Sequence, residues 1–176
     1  VDNGAKIIVC DPRRILLAES ASIYIQQYPG TDIALINAMI YYIVTENLHD
    51  KDFIKNRTEG FDQLWETVKD YTPESVKALT GVEPELIRRA ARLYATARHS
   101  CIMYSLGITE HTVGTDNVMS MANLAMITGH VGKPLSGVYP MRGQNNVQGA
   151  CDMGALPNVY SGYQPVADDE VRKKFE

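Results

Sequence analysis

The chain has 176 residues, of which 45% are apolar and 22% charged, with a formal net charge of -4. That size suits one domain, or one domain with part of another, and the balance is that of a globular chain rather than a disordered one. No overall basic surface is available, which disfavours nucleic acid as the main partner. Cys10, Cys101 and Cys151 are far apart and none belongs to a C-x-x-C pair. Neither a disulfide framework nor an iron–sulfur or zinc site within this chain is expected. Free thiols without a signal peptide point to a reducing, cytoplasmic setting. The longest apolar run, "IALINAMIYYIV", is twelve residues with Asn37 inside it. A membrane-crossing helix needs roughly 20, so the run reads as a buried helix and no membrane segment is expected. The absent initiator methionine and the charged ending "DDEVRKKFE", which lacks an evident cap signal, suggest a piece of a longer polypeptide.

In chain order, "AKIIVCD" is a β-branched run ending in Asp-Pro, expected as a central strand of a parallel sheet buried on both faces. "PGTD" is a turn leading into a helix from about Asp32 to Leu48, with Thr31 or Asp32 as N-cap. "DKDFIKNR" and "GFDQLWETVKDY" read as short amphipathic helices. "TPESVKALTG" offers Thr72 as a cap, Pro73 at the first helical position and Gly81 past the end. "PELIRRAARLYATA" sets Leu86, Ala90, Leu93, Tyr94 and Ala97 on one helix face. "SCIMYSLG" is a second buried strand, and "TDNVMSMANLAMITG" a helix closed by Gly129. The remainder reads as a long irregular tail. The order of strand, helices, strand and helix predicts an α/β fold: a parallel-sheet, Rossmann-like αβα domain with helices on both faces. The expected division is residues 1–140 for that domain and 141–176 for an active-site loop and the start of a neighbouring domain.

Ligands of such sheets bind beyond the carboxyl ends of the strands. Three stretches fall there. In the first, Asp11 can accept two donors from a ribose or a guanine edge, and Arg13 and Arg14 can meet phosphate. The plainer readings are a turn residue before Pro12 and a solvated charged turn. "PGTD" offers N–H groups at a helix start, or simply a cap. No G-x-G-x-x-G follows the first strand, so an ordinary nicotinamide site is poorly supported. In the second stretch, "LGITEH", Glu110 and His111 are a conceivable base pair, against a packed or solvent-facing histidine. His130 reads as a helix-end residue where partial positive charge is welcome. His49 and His99 read as surface residues. No two histidines have metal-ligand spacing, so no metal ligand is expected. The third stretch, "RGQNNVQGACDMGALP", holds Arg142, four amide side chains and Gly143, Gly149 and Gly154, with little helix or strand signal. A guanidinium fork pairs a carboxylate through two parallel hydrogen bonds and keeps its proton. A well-bonded loop joining two domains is the alternative.

Together these stretches resemble the catalytic subunit of molybdenum- or tungsten-dependent formate dehydrogenases that carry two molybdopterin guanine dinucleotides. The likeness lies in "IVCDPRR", "QQYPGTDIALINAMIYYIVTENLHDKDFI", "LGITEHTVGTDNV", "NLAMITGHVGKPLSGVYPMRGQNNVQGACDMGALP" and "VYSGYQPV". The resemblance implies that Asp11, Pro12, Arg13 and Arg14, with Gly30, Thr31 and Asp32, hold the guanosine end of one pterin dinucleotide. It implies that Leu106, Gly107 and Glu110 line the pterin, although family members commonly carry Met and Gln where Leu106 and Glu110 stand. It makes Arg142 the catalytic residue that orients formate, with Gln144 beside it supporting the metal-bound ligand and the pterin. The metal's cysteine or selenocysteine ligand and the [4Fe–4S] motif are expected earlier in the full subunit, and none of the three cysteines here matches them. Expected partners are formate, the rest of the same subunit and an electron-transfer subunit. Apolar patches at the ends of the isolated segment favour self-association. Other readings are a segment of another bis-pterin oxidoreductase such as a nitrate reductase, which the "RGQNNVQGA" loop disfavours, or a non-catalytic α/β nucleotide-binding module.

Overall fold

The computed structural model describes residues 3–176. The chain forms two compact units, one ending at Pro140 and the other Met141–Glu176. The first is a mixed α/β unit in which short strands pair in parallel. Strand β1 (Ile8–Cys10) runs parallel to β2 (Ile23–Ile25), with Ile8 opposite Ile23 and Cys10 opposite Ile25. A 3-10 turn at Leu16–Ser20 makes up part of the crossover. Helix α1 (Asp32–Thr45) follows, entered through Gly30 at φ +80, a left-handed conformation that glycine adopts without a Cβ clash. Short helices α2 (Lys51–Arg57), α3 (Phe61–Val68) and α4 (Lys77–Thr80) lead to α5 (Pro84–Thr96). Then come β3 (Cys101–Tyr104), α6 (Leu106–Thr109), α7 (Gly114–Ile127) and β4 (Gly137–Pro140). β4 pairs parallel with β3, Cys101 opposite Gly137 and Tyr104 opposite Pro140.

Helix α1 is the centre of the unit. Its apolar residues surround it almost completely, and Ala38, Ile40 and Ile43 are sealed from solvent. A helix apolar on all sides must be covered on all sides. Helices α3, α5 and α7 supply that cover, with β2 against α5 and β3 and β4 against α7. The buried face of α5 is Ile87, Ala90, Ala91 and Tyr94, while Leu86 and Leu93 sit at its margin. The expected stripe was thus right in period and shifted around the helix, because contact with α1 selects the small alanine pair for close approach. No helix among the described residues is long and apolar enough to cross a membrane.

Several local expectations are corrected. The two strand segments are not central: among the described residues each belongs to a two-stranded sheet. Only Val9 of β1 is buried, and Met103 of β3 is 67% exposed. Each of these strands alternates a covered with an exposed side chain, so one face of each pair meets solvent, which a β-branched run does not announce. Thr72 caps a turn rather than a long helix, its Oγ1 accepting Ser75 N–H at 3.0 Å. Gly81, at φ +73, ends α4 as expected of a left-handed C-terminal residue.

The second unit is also less irregular than its composition suggests. It holds α8 (Val147–Asp152), the antiparallel pair β5 (Val159–Tyr160) and β6 (Gln164–Pro165), and α9 (Asp169–Phe175). Asp168 caps α9 by accepting from Glu170 and Val171 N–H, a cap hidden in the run of acids. Tyr160 stacks on Phe175 at 4.5 Å, tying α9 to the strand pair.

His130 overturns the reading of a charged helix-end group. It is 1% exposed, packs edge-on against Tyr94 at 5.2 Å, and its Nε2 donates to the Tyr94 carbonyl at 3.1 Å. Burial, then the nearby Lys133 charge, lowers its pKa below 6.5, outweighing Asp50 and the carbonyl. His49, half-buried against Phe61, is lowered in the same direction by burial and Lys51. The unfolded chain therefore takes up protons near pH 6.5 that the folded chain refuses. This stabilisation is complete above the unfolded pKa and is lost as pH falls toward the folded one. Urea unfolding between pH 7.5 and 5 is expected to show falling stability over that window. His130→Gln is expected to start less stable at pH 7.5 and to show a shallower decline. A wild-type stability that is flat across the window contradicts this account.

Candidate functional site

The parallel pairing of β1 and β2 sends both of their outgoing loops to the same end. Asp11 N–H continues the ladder to Ile25 O at 3.1 Å, and Gln26 Nε2 reaches across to Pro12 O at 2.8 Å. Asp11, Pro12, Arg13 and Arg14 are thereby joined to the loop carrying Gly30, Thr31 and Asp32. Asp11 Oδ1 accepts the Arg13 N–H at 2.7 Å, a turn-forming bond that leaves its second oxygen free to serve a ligand. The Tyr24 hydroxyl donates to Asp11 O at 3.1 Å, and the Arg14 guanidinium lies 5.8 Å from the Tyr24 ring centre. Arg13 and Arg14 remain exposed, with no acidic partner among the described residues.

In the second loop, Thr31 turns its hydroxyl back to Tyr28 O at 2.7 Å, so it braces the turn and makes no side-chain cap of α1. Gly30 has open space on the side where a Cβ would project. Asp32 Oδ1 accepts from Gln27 Nε2 at 3.1 Å. Gln27 itself is 3% exposed, and its Oε1 has no partner among the described residues. Reasoning from sequence passed over Gln26 and Gln27. The available signal was two adjacent amides directly after a strand, where side chains alternate between faces and one of the two must turn inward.

The second group stands at the end of β3. Leu106 is 56% exposed, Gly107 has open space beside it, and Glu110 is exposed. This segment is the short helix α6 rather than a loop, and it is clamped from below. His111 Nε2 donates to Gly107 O at 3.0 Å, so its ring is taken up by backbone and forms no base pair with Glu110. Asn117, fully buried in α7, donates to Ile108 O at 2.8 Å. Gly114 opens α7 so closely against α6 that an added Cβ would lie 2.0 Å from Thr109 O. Backbone cannot step aside as a side-chain tip can. Leu106, Gly107 and Glu110 are therefore presented by a turn that Gly114, Asn117 and His111 hold from behind.

The third group lies in the second unit. Arg142 and Gln144 are exposed, and neither has a hydrogen-bond or ion-pair partner among the described residues. The segment after them is ordered from within: Gln148 Nε2 donates to Asp152 Oδ1 at 3.1 Å and to Tyr163 Oη at 2.8 Å. Gly149 leaves the space that the Asn146 side chain fills, an added Cβ meeting its Nδ2 at 2.6 Å. The four amides of this stretch thus divide into structural ones, Asn146 and Gln148, and the exposed Gln144 and Asn145, whose side chains make no hydrogen bond among the described residues. No group of three or more His, Cys, Asp or Glu side chains that could hold a metal occurs among the described residues.

The first unit is thus a mixed α/β unit with polar side chains gathered beyond the ends of the parallel pair β1 and β2. The comparisons give it a family: the model described as molybdopterin oxidoreductase matches residues 1–175, and the chain belongs to that family. It is 59% identical over 167 residues to the F420-dependent formate dehydrogenase subunit alpha of Methanocaldococcus jannaschii, covering 95% of this chain and 25% of the relative. It is 54% identical over 173 residues to formate dehydrogenase H of Escherichia coli, covering 98% of this chain and 24% of the relative. Among solved structures, acetylene hydratase from Pelobacter acetylenicus superposes with a TM-score of 0.73 at 34% identity, over 76% of this chain and 18% of that one. The chain thus spans about a quarter of the length of the curated relatives it matches.

The Gly114 contact makes a direct prediction. Gly114→Ala is expected to destabilise the chain by at least about 1–3 kcal/mol, the cost of overpacking against backbone. It should also raise amide exchange selectively across Leu106–Glu110. Unfolding and hydrogen-exchange measurements on the purified variant check both. Unchanged exchange in that segment means that α6 is not held through Gly114.

Proposed function

We propose that the chain is a segment of a formate dehydrogenase catalytic subunit that holds part of a molybdopterin guanine dinucleotide and supplies the arginine that orients formate. The observation that carries this reading is 53–59% identity, over more than nine-tenths of the chain, to four proteins named as formate dehydrogenases or their alpha subunits. The scaffold alone does not select the reaction, since an acetylene hydratase shares it.

The residues suit the cofactor. The exposed guanidinium groups of Arg13 and Arg14 match phosphate, and the carboxylates of Asp11 and Asp32 match the N–H edge of guanine or a ribose. The first turn of α1 adds N–H groups of partial positive charge. Leu106, Gly107 and Glu110 would line the pterin. Gly107 allows close approach, while Glu110 adds negative charge and so must donate from a protonated carboxyl or stand off from the anionic parts. When bound, the cofactor accepts the two electrons that formate loses as it becomes carbon dioxide and a proton.

The chain's own part in the reaction is orientation. Formate is a planar monoanion with two equivalent oxygens, and the Arg142 fork offers two parallel donors. Held this way, the anion presents its C–H bond away from the guanidinium, and the fixed positive charge counters the substrate's own. Gln144, free to donate and accept, would support the neighbouring ligand. The metal ligand, the [4Fe–4S] cluster and an electron-transfer subunit belong to the rest of the enzyme on this reading, which places it in the cytoplasm.

In the full-length subunit, Arg142→Lys keeps the charge but loses the planar two-bond pairing. One charge-assisted hydrogen bond is worth roughly 1.5–3 kcal/mol, so kcat/KM for formate is expected to fall about 10- to 150-fold. Arg142→Ala should lose more, while metal per subunit stays near the wild-type value in both. Wild-type activity in the lysine variant makes Arg142 structural. Parallel loss of metal and activity makes it a cofactor-holding group instead.

A further inference from the structure

We infer that Gln27 is a positioning residue whose role is to fix the Asp32 carboxylate for the nucleotide end of the cofactor; this rests on Asp32 belonging to that site, as proposed above. Gln27 is 3% exposed, and its Oε1 lies buried without a partner among the described residues. An unsatisfied buried carbonyl is costly, and an apolar side chain of similar size would avoid that cost. The surroundings invite such a residue, since Gln27 follows Ile25 of β2 and lies within a unit whose core is isoleucine, leucine, valine and alanine. Among the described residues the side chain makes a single hydrogen bond, from Nε2 to Asp32 Oδ1 at 3.1 Å. That bond explains why an amide is present. It also fixes the amide's orientation, because turning it over would set the carbonyl against a carboxylate.

The chemistry follows from what the bond leaves. With Oδ1 committed to Gln27, the Asp32 carboxylate is held in one rotamer and Oδ2 keeps its acceptor capacity. A carboxylate so fixed meets an N–H-rich base edge without first losing side-chain freedom, which is the gain that pre-organisation brings to binding. The adjoining turn contributes to the same end. Tyr28 N–H donates to Thr80 O at 2.8 Å, and Thr31 braces Tyr28 O, so the backbone between Gln27 and Asp32 is anchored at two points. Gln27 anchors the side chain.

The test uses the full-length holoenzyme in five forms: wild type, Gln27→Leu, Gln27→Met, Asp32→Ala and the double variant of Gln27→Leu with Asp32→Ala. The readouts are the rate at which gel-filtered enzyme loses cofactor, followed as acid-released guanine nucleotide per subunit, and the unfolding midpoint of the cofactor-free protein. Gln27→Leu is expected to lose cofactor about tenfold faster, the effect of about 1.4 kcal/mol. Its cofactor-free midpoint should equal or exceed that of wild type. The double variant should lose cofactor no faster than Asp32→Ala alone, since without the carboxylate there is nothing to position. Gln27→Met, of similar shape, should repeat the leucine result. Wild-type retention in Gln27→Leu, with fast loss in Asp32→Ala, overturns the positioning role and leaves the cofactor reading intact. Wild-type retention in Asp32→Ala overturns the cofactor reading at this residue. A lowered cofactor-free midpoint in both Gln27 variants makes Gln27 a structural core residue and overturns the inference as well.

Discussion

The candidate site depends on the parallel pairing of β1 with β2. Parallel strands point the same way, so the loops that leave them emerge at one end, and segments nearly twenty residues apart in the chain become neighbours. The ladder continues one residue past the strands, from Asp11 N–H to Ile25 O, and the Gln26 amide then crosses to Pro12. Those two bonds turn a pair of ordinary turns into one polar rim. The pairing is itself secured by α1, which must be covered on every side and draws α5 against β2 to achieve it.

A second constraint is the treatment of buried polar groups. Asn117, His130 and Gln27 are all nearly sealed from water, and each leaves one polar atom without a partner among the described residues. In each case the bond that is made goes to a backbone carbonyl or a carboxylate in the first or last turn of a helix: Ile108 O, Tyr94 O and Asp32 Oδ1. Partly satisfied polar groups weaken a core, so their value here is in fixing geometry. Asn117, with Gly114, holds the short helix carrying Leu106 and Gly107. His130 holds the end of α5 before β3. The framework behind the proposed cofactor contacts is therefore built at a cost in stability.

Much of this was readable along the chain. Helix period, the glycines at 81 and 129 and the strand–helix order are local signals, and they led to the α/β class and the helices. The motifs "DPRR", "PGTD" and "RGQNN" pointed to the family, which the match over residues 1–175 bears out. The misses share one cause. Whether a β-branched strand is central or at an edge, and which way α5 turns its small residues, depends on what stands beside them. Met103 and Ile102 look alike in a run of apolar letters, yet only one of them faces the core.

The sequence by itself determined where the long helices α1, α5 and α7 lie and which family the chain joins, because these rest on local backbone preference and on residue identity. Tertiary structure decided that the loops carrying Asp11 and Asp32 emerge at one end, that His130 is a buried group with a lowered pKa rather than a welcome charge, that Gln27 is buried against Asp32, and that Gly114 lies against Thr109. Each of those depends on a partner distant in the chain: a paired strand, a covering helix, or a carbonyl 2.0 Å from where a methyl group would stand. Burial and close approach are properties of pairs of elements, and no single stretch of letters contains them.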